Sequence, residues 1–330
     1  MRILVTGGCG FIGSNFIRYL LKRVGNVEIL NLDKQTYAGR GRNLEHRGLA
    51  DDSRYSFIKG DICDNRIVDR LFAGYEPDYV FNFAAESHVD RSISESSAFL
   101  RSNVLGVEVL LDASRRFGVE RFVQIGTDEV YGSLSDDAVS SVEDDKLNPR
   151  SPYSASKASA DLLALSYYHT HGLPILITRS ANNYGPYQFP EKLLPLFITN
   201  LIDRKKVPLM WSEDNPGLNV RDWLHVEDNC RAIWHIGLKG KNGEIYNVPG
   251  ENEQRNIDIT YFLLDDFGFG DEMIEKVPHR SGHDFRYSIS GDKLKGLGFE
   301  YEYSDLEHEL SELIEWYKQN ENWWRALKNG

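Results

Sequence analysis

The sequence predicts an α/β protein, a doubly wound parallel sheet followed by a smaller C-terminal α/β lobe. Three observations predict it. Short apolar runs alternate with amphipathic helical stretches through the first 180 residues, and such alternation calls for parallel strands joined by helical crossovers. A glycine-rich turn lies between the first run and the first helix, where sheets of this kind receive ligands. From about Asn182 the rhythm breaks into loops rich in Pro, Asn and aromatic residues, with scattered helices.

Taken in order, the first strand is 3–6. The turn Gly7-Gly8-Cys9-Gly10-Phe11-Ile12-Gly13 follows it and opens a helix over 11–22, with the spacing G-x-x-G-x-x-G. Glycines there permit the tight turn and the close approach of a pyrophosphate, which would lie at the helix N-terminus. Gly7, Gly10, Phe11, Ile12 and Gly13 are therefore expected to hold a dinucleotide on a Rossmann-type sheet. The second strand, 27–32, is closed by Asp33. An acid at that point accepts hydrogen bonds from the adenosine ribose and repels a 2′-phosphate, which favours NAD over NADP. Lys34 beside it reads as a solvated side chain. The third strand, 55–58, leads to Asp61 and Ile62, placed to flank the adenine. The fourth strand is 79–83; a helix over 98–117 leads to the fifth, 122–125; a helix over 155–171 feeds the sixth, 175–179. Beyond it, helices are expected at 190–201, 226–238 and 305–319. Residues 1–180 form the cofactor domain with the catalytic residues, and 181–330 a second lobe over the strand ends, some of whose segments cross back to the sheet. The acidic, Ser-rich stretch 135–145 reads as the most mobile surface loop.

The chemistry is carried by Gly126-Thr127-Asp128-Glu129-Val130-Tyr131-Gly132 and by Tyr153 and Lys157. A tyrosine four residues before a lysine shares its helical face. There an ammonium can lower the phenol's pKa and make it a base for alcohol oxidation. Asp128 and Glu129, beside the Thr127 hydroxyl, suggest a second proton transfer in the same pocket. Oxidation combined with acid–base elimination is the chemistry of a sugar-nucleotide dehydratase.

Composition narrows the setting. A chain of 330 residues with 41% hydrophobic and 27% charged content suits a soluble globular protein. A net charge of −12 argues against nucleic-acid binding. Cys9, Cys63 and Cys230 lack C-x-x-C spacing and read as thiols in a reducing compartment. No apolar run approaches membrane-spanning length, and the first residues lead straight into strand and glycines without the pattern of a signal peptide. A cytoplasmic protein with no membrane partner and no metal is expected.

The motifs together resemble the extended short-chain dehydrogenase/reductase family and, within it, the dTDP-glucose 4,6-dehydratases. The resemblance rests on residues 33–39, 82–92, 127–132, 151–157, 182–187, 189–192, 220–224 and 280–287. Asp directly before Glu at 128–129 separates this pattern from related epimerases and decarboxylases. The resemblance implies that Tyr153 takes the C4 hydroxyl proton as hydride passes to bound NAD, with Lys157 on the nicotinamide ribose and Thr127 at the C4 oxygen. Glu129 removes the C5 proton and Asp128 protonates the departing C6 hydroxyl, giving a 4-keto-6-deoxy sugar for deoxysugar biosynthesis such as that of rhamnose. It further places Lys34, Thr36, Ala84, Ala85, Ser87 and Asn103 at the cofactor. For the nucleotide sugar it names Ser87, His88, Asn183, Glu191, Lys192, Leu193, Asn256, His283 and Tyr287, with Arg221 and Arg280 at the pyrophosphate. A homodimer is implied through helices 98–117 and 155–171.

One segment departs from the pattern. Where the family carries a short run ending in Tyr-Gly, this chain reads Pro208-Leu209-Met210-Trp211-Ser212 and is longer. Trp211 has the area to stack on the base in place of the tyrosine, which leaves thymine and uracil both open. An extra Arg-Gly-Arg at 40–42 lengthens the loop after Asp33. UDP-glucose dehydration, or an epimerase or decarboxylase of the same fold, is the competing reading.

Overall fold

The computed structural model describes residues 1–46, 48–280 and 282–328. Strands β1 (Arg2–Thr6), β2 (Glu28–Asp33), β3 (Tyr55–Lys59), β4 (Tyr79–Asn82), β5 (Arg121–Thr127) and β6 (Ile175–Ser180) come first along the chain. Six shorter strands follow: β7 (Asn182–Tyr184), β8 (Val207–Met210), β9 (Val220–His225), β10 (Ile245–Val248), β11 (Glu253–Arg255) and β12 (Ile274–Val277). The main sheet has seven strands in the order β10-β6-β5-β4-β1-β2-β3, and every neighbouring pair is parallel. The order reverses at β1, so the crevice beyond β1 and β4 is the position where a doubly wound sheet takes a ligand.

Both faces of the sheet are covered, which explains the nearly continuous apolar character of its strands. One face packs Phe16, Ile17 and Leu20 of the helix Phe11–Arg23 with Ile233 and Ile236 of the helix Val226–Lys239. The other packs Val107, Leu110 and Leu111 of the helix Gly106–Phe117 with Ala160 and Ala164 of the helix Pro152–His171. A third core, with Tyr184, Phe197, Tyr317 and Trp324, holds the second lobe together. Among the described residues no helix is long and apolar enough to cross a membrane.

Three features add to the sequence expectation or differ from it. β10 extends the main sheet from beyond residue 181, registering Ile245 against Ile177; a four-residue run carries no periodicity that could reveal it. The helix expected over 98–117 is broken into Ser96–Leu100, a π-helical turn Arg101–Leu105, and Gly106–Phe117. The stretch 135–145, expected to be mobile, is stitched to the segment 286–290. Ser141 N–H donates to Ser288 O at 3.0 Å, Ser290 N–H donates back to Ser141 O at 2.9 Å, and Arg286 Nη1 reaches Ala138 O at 2.8 Å.

Candidate active site

The site forms where the end of β5 meets the helix Pro152–His171. That helix is started by a capping box in which Ser151 and Ser154 bond reciprocally, with Pro152 in its first turn. Tyr153 and Lys157 follow one turn apart, and Lys157 Nζ donates to Ile125 O at 2.5 Å. Only glycine fits at 126: a β-carbon there would lie 2.6 Å from Thr178 O and 3.2 Å from Arg179 Cγ. Past Thr127 the chain makes a 3₁₀ turn, Asp128–Tyr131, capped by Glu129 N–H donating to Thr127 Oγ1 at 3.3 Å. Thr127, Asp128, Glu129, Tyr153 and Lys157 thereby share the wall of one cavity of about 310 Å³.

The two carboxyls of the turn experience different fields. Asp128 is 3% exposed and its Oδ2 has no hydrogen-bond partner among the described residues. Burial, together with Glu129 and Asp222, lifts its carboxyl well above the usual range. Burial lifts Glu129 as well, but Arg280, Lys192 and Arg221 oppose the rise. Burial thus favours the protonated form at Asp128, while the facing cations favour the charged form at Glu129. The Tyr153 phenol is pushed up by burial, with Glu129 and Asp128 adding to it and a hydrogen bond with Thr127 opposing. Lys157 is brought down to about 8 by burial, against the pull of Asp161. The Lys157 ammonium, expected to lower the phenol's pKa, donates to the Ile125 carbonyl, and burial is the largest influence raising the phenol.

The same cavity continues over the sheet's switch point. Gly7, Gly10, Phe11, Ile12, Gly13, Asp33, Lys34 and Thr36 line it, and Asp61, Ile62, Ala84, Ala85 and Ser87 complete that end. Gly7 has φ +70°, and a β-carbon on it would lie 2.5 Å from Ala84 N, so the loop passes close against the end of β4. The helix Phe11–Arg23 starts with no side-chain cap and no acid in its first turn, leaving its N–H groups to an anion. Asp33 accepts N–H groups from Cys9 at 2.9 Å and Gln35 at 2.6 Å. Lys34 is held by Asp61 at 2.8 Å, away from the role of 2′-phosphate partner. This donor set fits NAD. Asn103 stands behind the wall: it accepts Glu86 N–H at 2.9 Å and donates to Glu86 O at 3.0 Å and Ser156 Oγ at 2.9 Å, bracing the loop that the cavity touches.

The substrate residues divide into two groups. Ser87, Asn183, Glu191 and Lys192 line the cavity. Glu191 accepts from Tyr37 Oη at 2.8 Å and faces His88 Nε2 at 3.5 Å, while Lys192 Nζ donates to Ser87 O at 3.2 Å. A second group lies around Arg221, off that lining. Arg221 is 6% exposed, and its guanidinium sits over the Tyr287 ring at 4.5 Å. It bonds only backbone carbonyls, those of Val220, Phe285 and Asp284, and no carboxylate pairs with it among the described residues. Arg280, 3.5 Å from Asp90, acts on Glu129 together with Arg221 and Lys192. His283 is driven down to about 3 by burial and these arginines and is neutral. Asn256, at the start of the helix Asn256–Phe267, has a buried Oδ1 with no hydrogen-bond partner among the described residues. A concentration of cations beside a glutamate, with Arg221 buried and Lys192 and Arg280 partly exposed, is a setting for a pyrophosphate. Leu193 packs against the second-lobe core and Pro208 pairs with Glu275 between β8 and β12. Trp211, outside that lining, carries Lys276 Nζ over its ring at 3.8 Å.

The GDP-mannose 4,6-dehydratase profile matches residues 4–305. This chain belongs to that 4,6-dehydratase family. A dTDP-glucose 4,6-dehydratase of Streptomyces niveus is 46% identical, the match covering 100% of this chain and 96% of the relative. Among solved structures, the dTDP-glucose 4,6-dehydratase DesIV of Streptomyces venezuelae, crystallised with NAD, is 45% identical with a TM-score of 0.93, over 99% of this chain and 100% of that one. The corresponding enzyme of Bacillus anthracis, in complex with NAD, is 42% identical with a TM-score of 0.91, over 99% of each chain.

Tyr37, Glu86 and Phe189 line the cavity of this 4,6-dehydratase without having been singled out by the sequence. Each lies inside a motif that was read, and only the meeting of three loops shows that they point inward.

Proposed function

We propose that this protein is an NAD-dependent dTDP-glucose 4,6-dehydratase, a hydro-lyase that converts dTDP-D-glucose to dTDP-4-keto-6-deoxy-D-glucose and water. The observation that carries the reading is the pairing of a buried, neutral Asp128 with a cation-facing Glu129 beside Tyr153 and Lys157. Bound NAD supplies reversible hydride storage, so the reaction has no net redox change. Tyr153 accepts the C4 hydroxyl proton, with Thr127 at the same oxygen and Lys157 holding the phenolate and the nicotinamide ribose. The 4-ketone acidifies C5–H, which Glu129 removes. Asp128 gives its proton to the departing C6 hydroxyl. An epimerase has no leaving hydroxyl to protonate and no use for an uncharged Asp128.

Residues 1–180 carry the cofactor and the chemistry in this reading, and 181–330 the nucleotide sugar. Arg221 and Arg280 hold the pyrophosphate, Lys192 and Asn183 the sugar side, and Trp211 the thymine. A homodimer through the helical stretches 98–117 and 155–171 accords with Leu100, Leu105 and Leu162 standing 52%, 59% and 59% exposed. A cytoplasmic location accords with three free cysteines. Incubation with dTDP-, UDP-, CDP- and GDP-linked hexoses tests the assignment: a 4-keto product from dTDP-glucose is expected, and a preference for UDP-glucose would reassign the base.

A further inference from the structure

The helix Pro152–His171 buries a second functional-looking pair that the proposed reaction does not use. Asp161 is 0% exposed and Arg179 is 2% exposed, and Arg179 Nε donates to Asp161 Oδ2 at 2.9 Å. Asp161 lies one helical turn after Lys157, on the face that carries Tyr153. Lys157 and Asp161 bracket a single point of β5: the lysine bonds Ile125 O, and a β-carbon on the next residue, Gly126, would meet Asp161 Oδ1 at 3.4 Å. That Oδ1 is buried without a hydrogen-bond partner among the described residues, and the nearby ammonium is its electrostatic counterpart. Arg179 then reaches the other half of the machinery. Its Nη1 donates at 2.9 Å to Tyr131 Oη, the last residue of the turn that carries Asp128 and Glu129. Tyr131 Oη in turn donates to Asn247 Oδ1 on β10 at 2.8 Å.

We infer that Asp161, Arg179 and Tyr131 form one buried positioning network that locks the oxidation pair, Tyr153 and Lys157, to the elimination pair, Asp128 and Glu129. A buried ion pair adds little stability compared with apolar packing. Here it fixes two proton-transfer sites on separate elements in one frame, where misplacement by an ångström costs rate. Asp161 has a second effect, holding Lys157 charged. Asp161, on the same helix, is the charge that acts on Lys157; the carboxyls of the turn, Glu129 and Asp128, act on Tyr153, and Arg179 of β6 faces Asp161. Removing the Asp161 charge lowers the Lys157 pKa and leaves Arg179 uncompensated, which acts in the same direction. Oxidation then loses its ammonium at lower pH.

The inference rests on the dehydratase reading, and turnover of dTDP-glucose by the parent enzyme tests that reading separately. On NAD-loaded Asp161→Asn, single-turnover appearance of reduced nicotinamide is expected to slow roughly ten-fold. Its alkaline limb should move down by about one pH unit at unchanged cofactor content, and Asp161→Glu should recover part of the shift. Tyr131→Phe keeps the ion pair and cuts the link to the turn; it should slow elimination about ten-fold while leaving oxidation near the parent rate. A folded Asp161→Asn with the parental rate and pH limb overturns the Lys157 part, and parental elimination in Tyr131→Phe overturns the coupling. Should Asp161→Asn give no folded protein, Tyr131→Phe and Arg179→Lys decide the matter, and parental rates in both defeat the inference.

Discussion

Asp128→Asn tests the division of labour in the site most directly. The parent carboxyl is 3% exposed and raised by burial and by its carboxylate neighbours, so the folded state holds it neutral. An amide of the same shape replaces a neutral acid that already leaves a buried polar atom unpaired, so the fold should persist. What the amide cannot do is release a proton to the departing hydroxyl. General acid catalysis typically contributes 10²–10⁴-fold, or about 3–5 kcal/mol of barrier at 1.36 kcal/mol per tenfold. Stopped-flow absorbance of reduced nicotinamide should therefore show oxidation close to the parent rate, then accumulation of the reduced form as water loss stalls. Stability follows the sign of the shift. A carboxyl with a raised folded pKa contributes stability fully present below its unfolded pKa and lost as pH rises through the folded pKa. The variant has nothing to ionise at this position, so its melting temperature relative to the parent should climb as pH rises. Water loss at the parent rate, or a melting difference independent of pH, would refute the assignment of Asp128 as the buried acid.

Other outcomes follow from the same geometry. Tyr153→Phe should abolish oxidation altogether, since the C4 proton then has no acceptor; any single-turnover reduction of bound cofactor would argue for a different base. Purified protein should release NAD on denaturation, and NADP should replace it poorly because Asp33 meets the 2′ position; cofactor-free protein that needs an external oxidant would contradict a closed hydride cycle. In the proposed reading Trp211, with Lys276 over one face of its indole, stacks the base of the substrate. Stacking is worth about 1–3 kcal/mol per base, so Trp211→Ala should raise the Michaelis constant roughly ten-fold at nearly constant kcat, a loss of uniform binding. An unchanged Michaelis constant would assign the base to another residue.

The sequence by itself determined whatever is local in cause. Periodicity located β1 to β6 to within a residue or two, and the glycine triplet marked the turn after β1, because both signals come from backbone sterics and side-chain alternation over a few residues. Spacing alone placed Tyr153 and Lys157 on one helical face. Only the tertiary structure decided how charge is distributed among them. Asp128 and Glu129 are adjacent in sequence and both buried, yet carboxylates add to the rise of one while Arg280, Lys192 and Arg221, from three distant segments, together oppose that of the other. The same holds for β10, whose four residues become a strand only because β6 offers an open edge. It holds for 135–145 too, a polar loop fixed by partners some 150 residues away. Desolvation, long-range charge and unpaired strand edges depend on what the folded chain brings near, and no window of sequence contains that information.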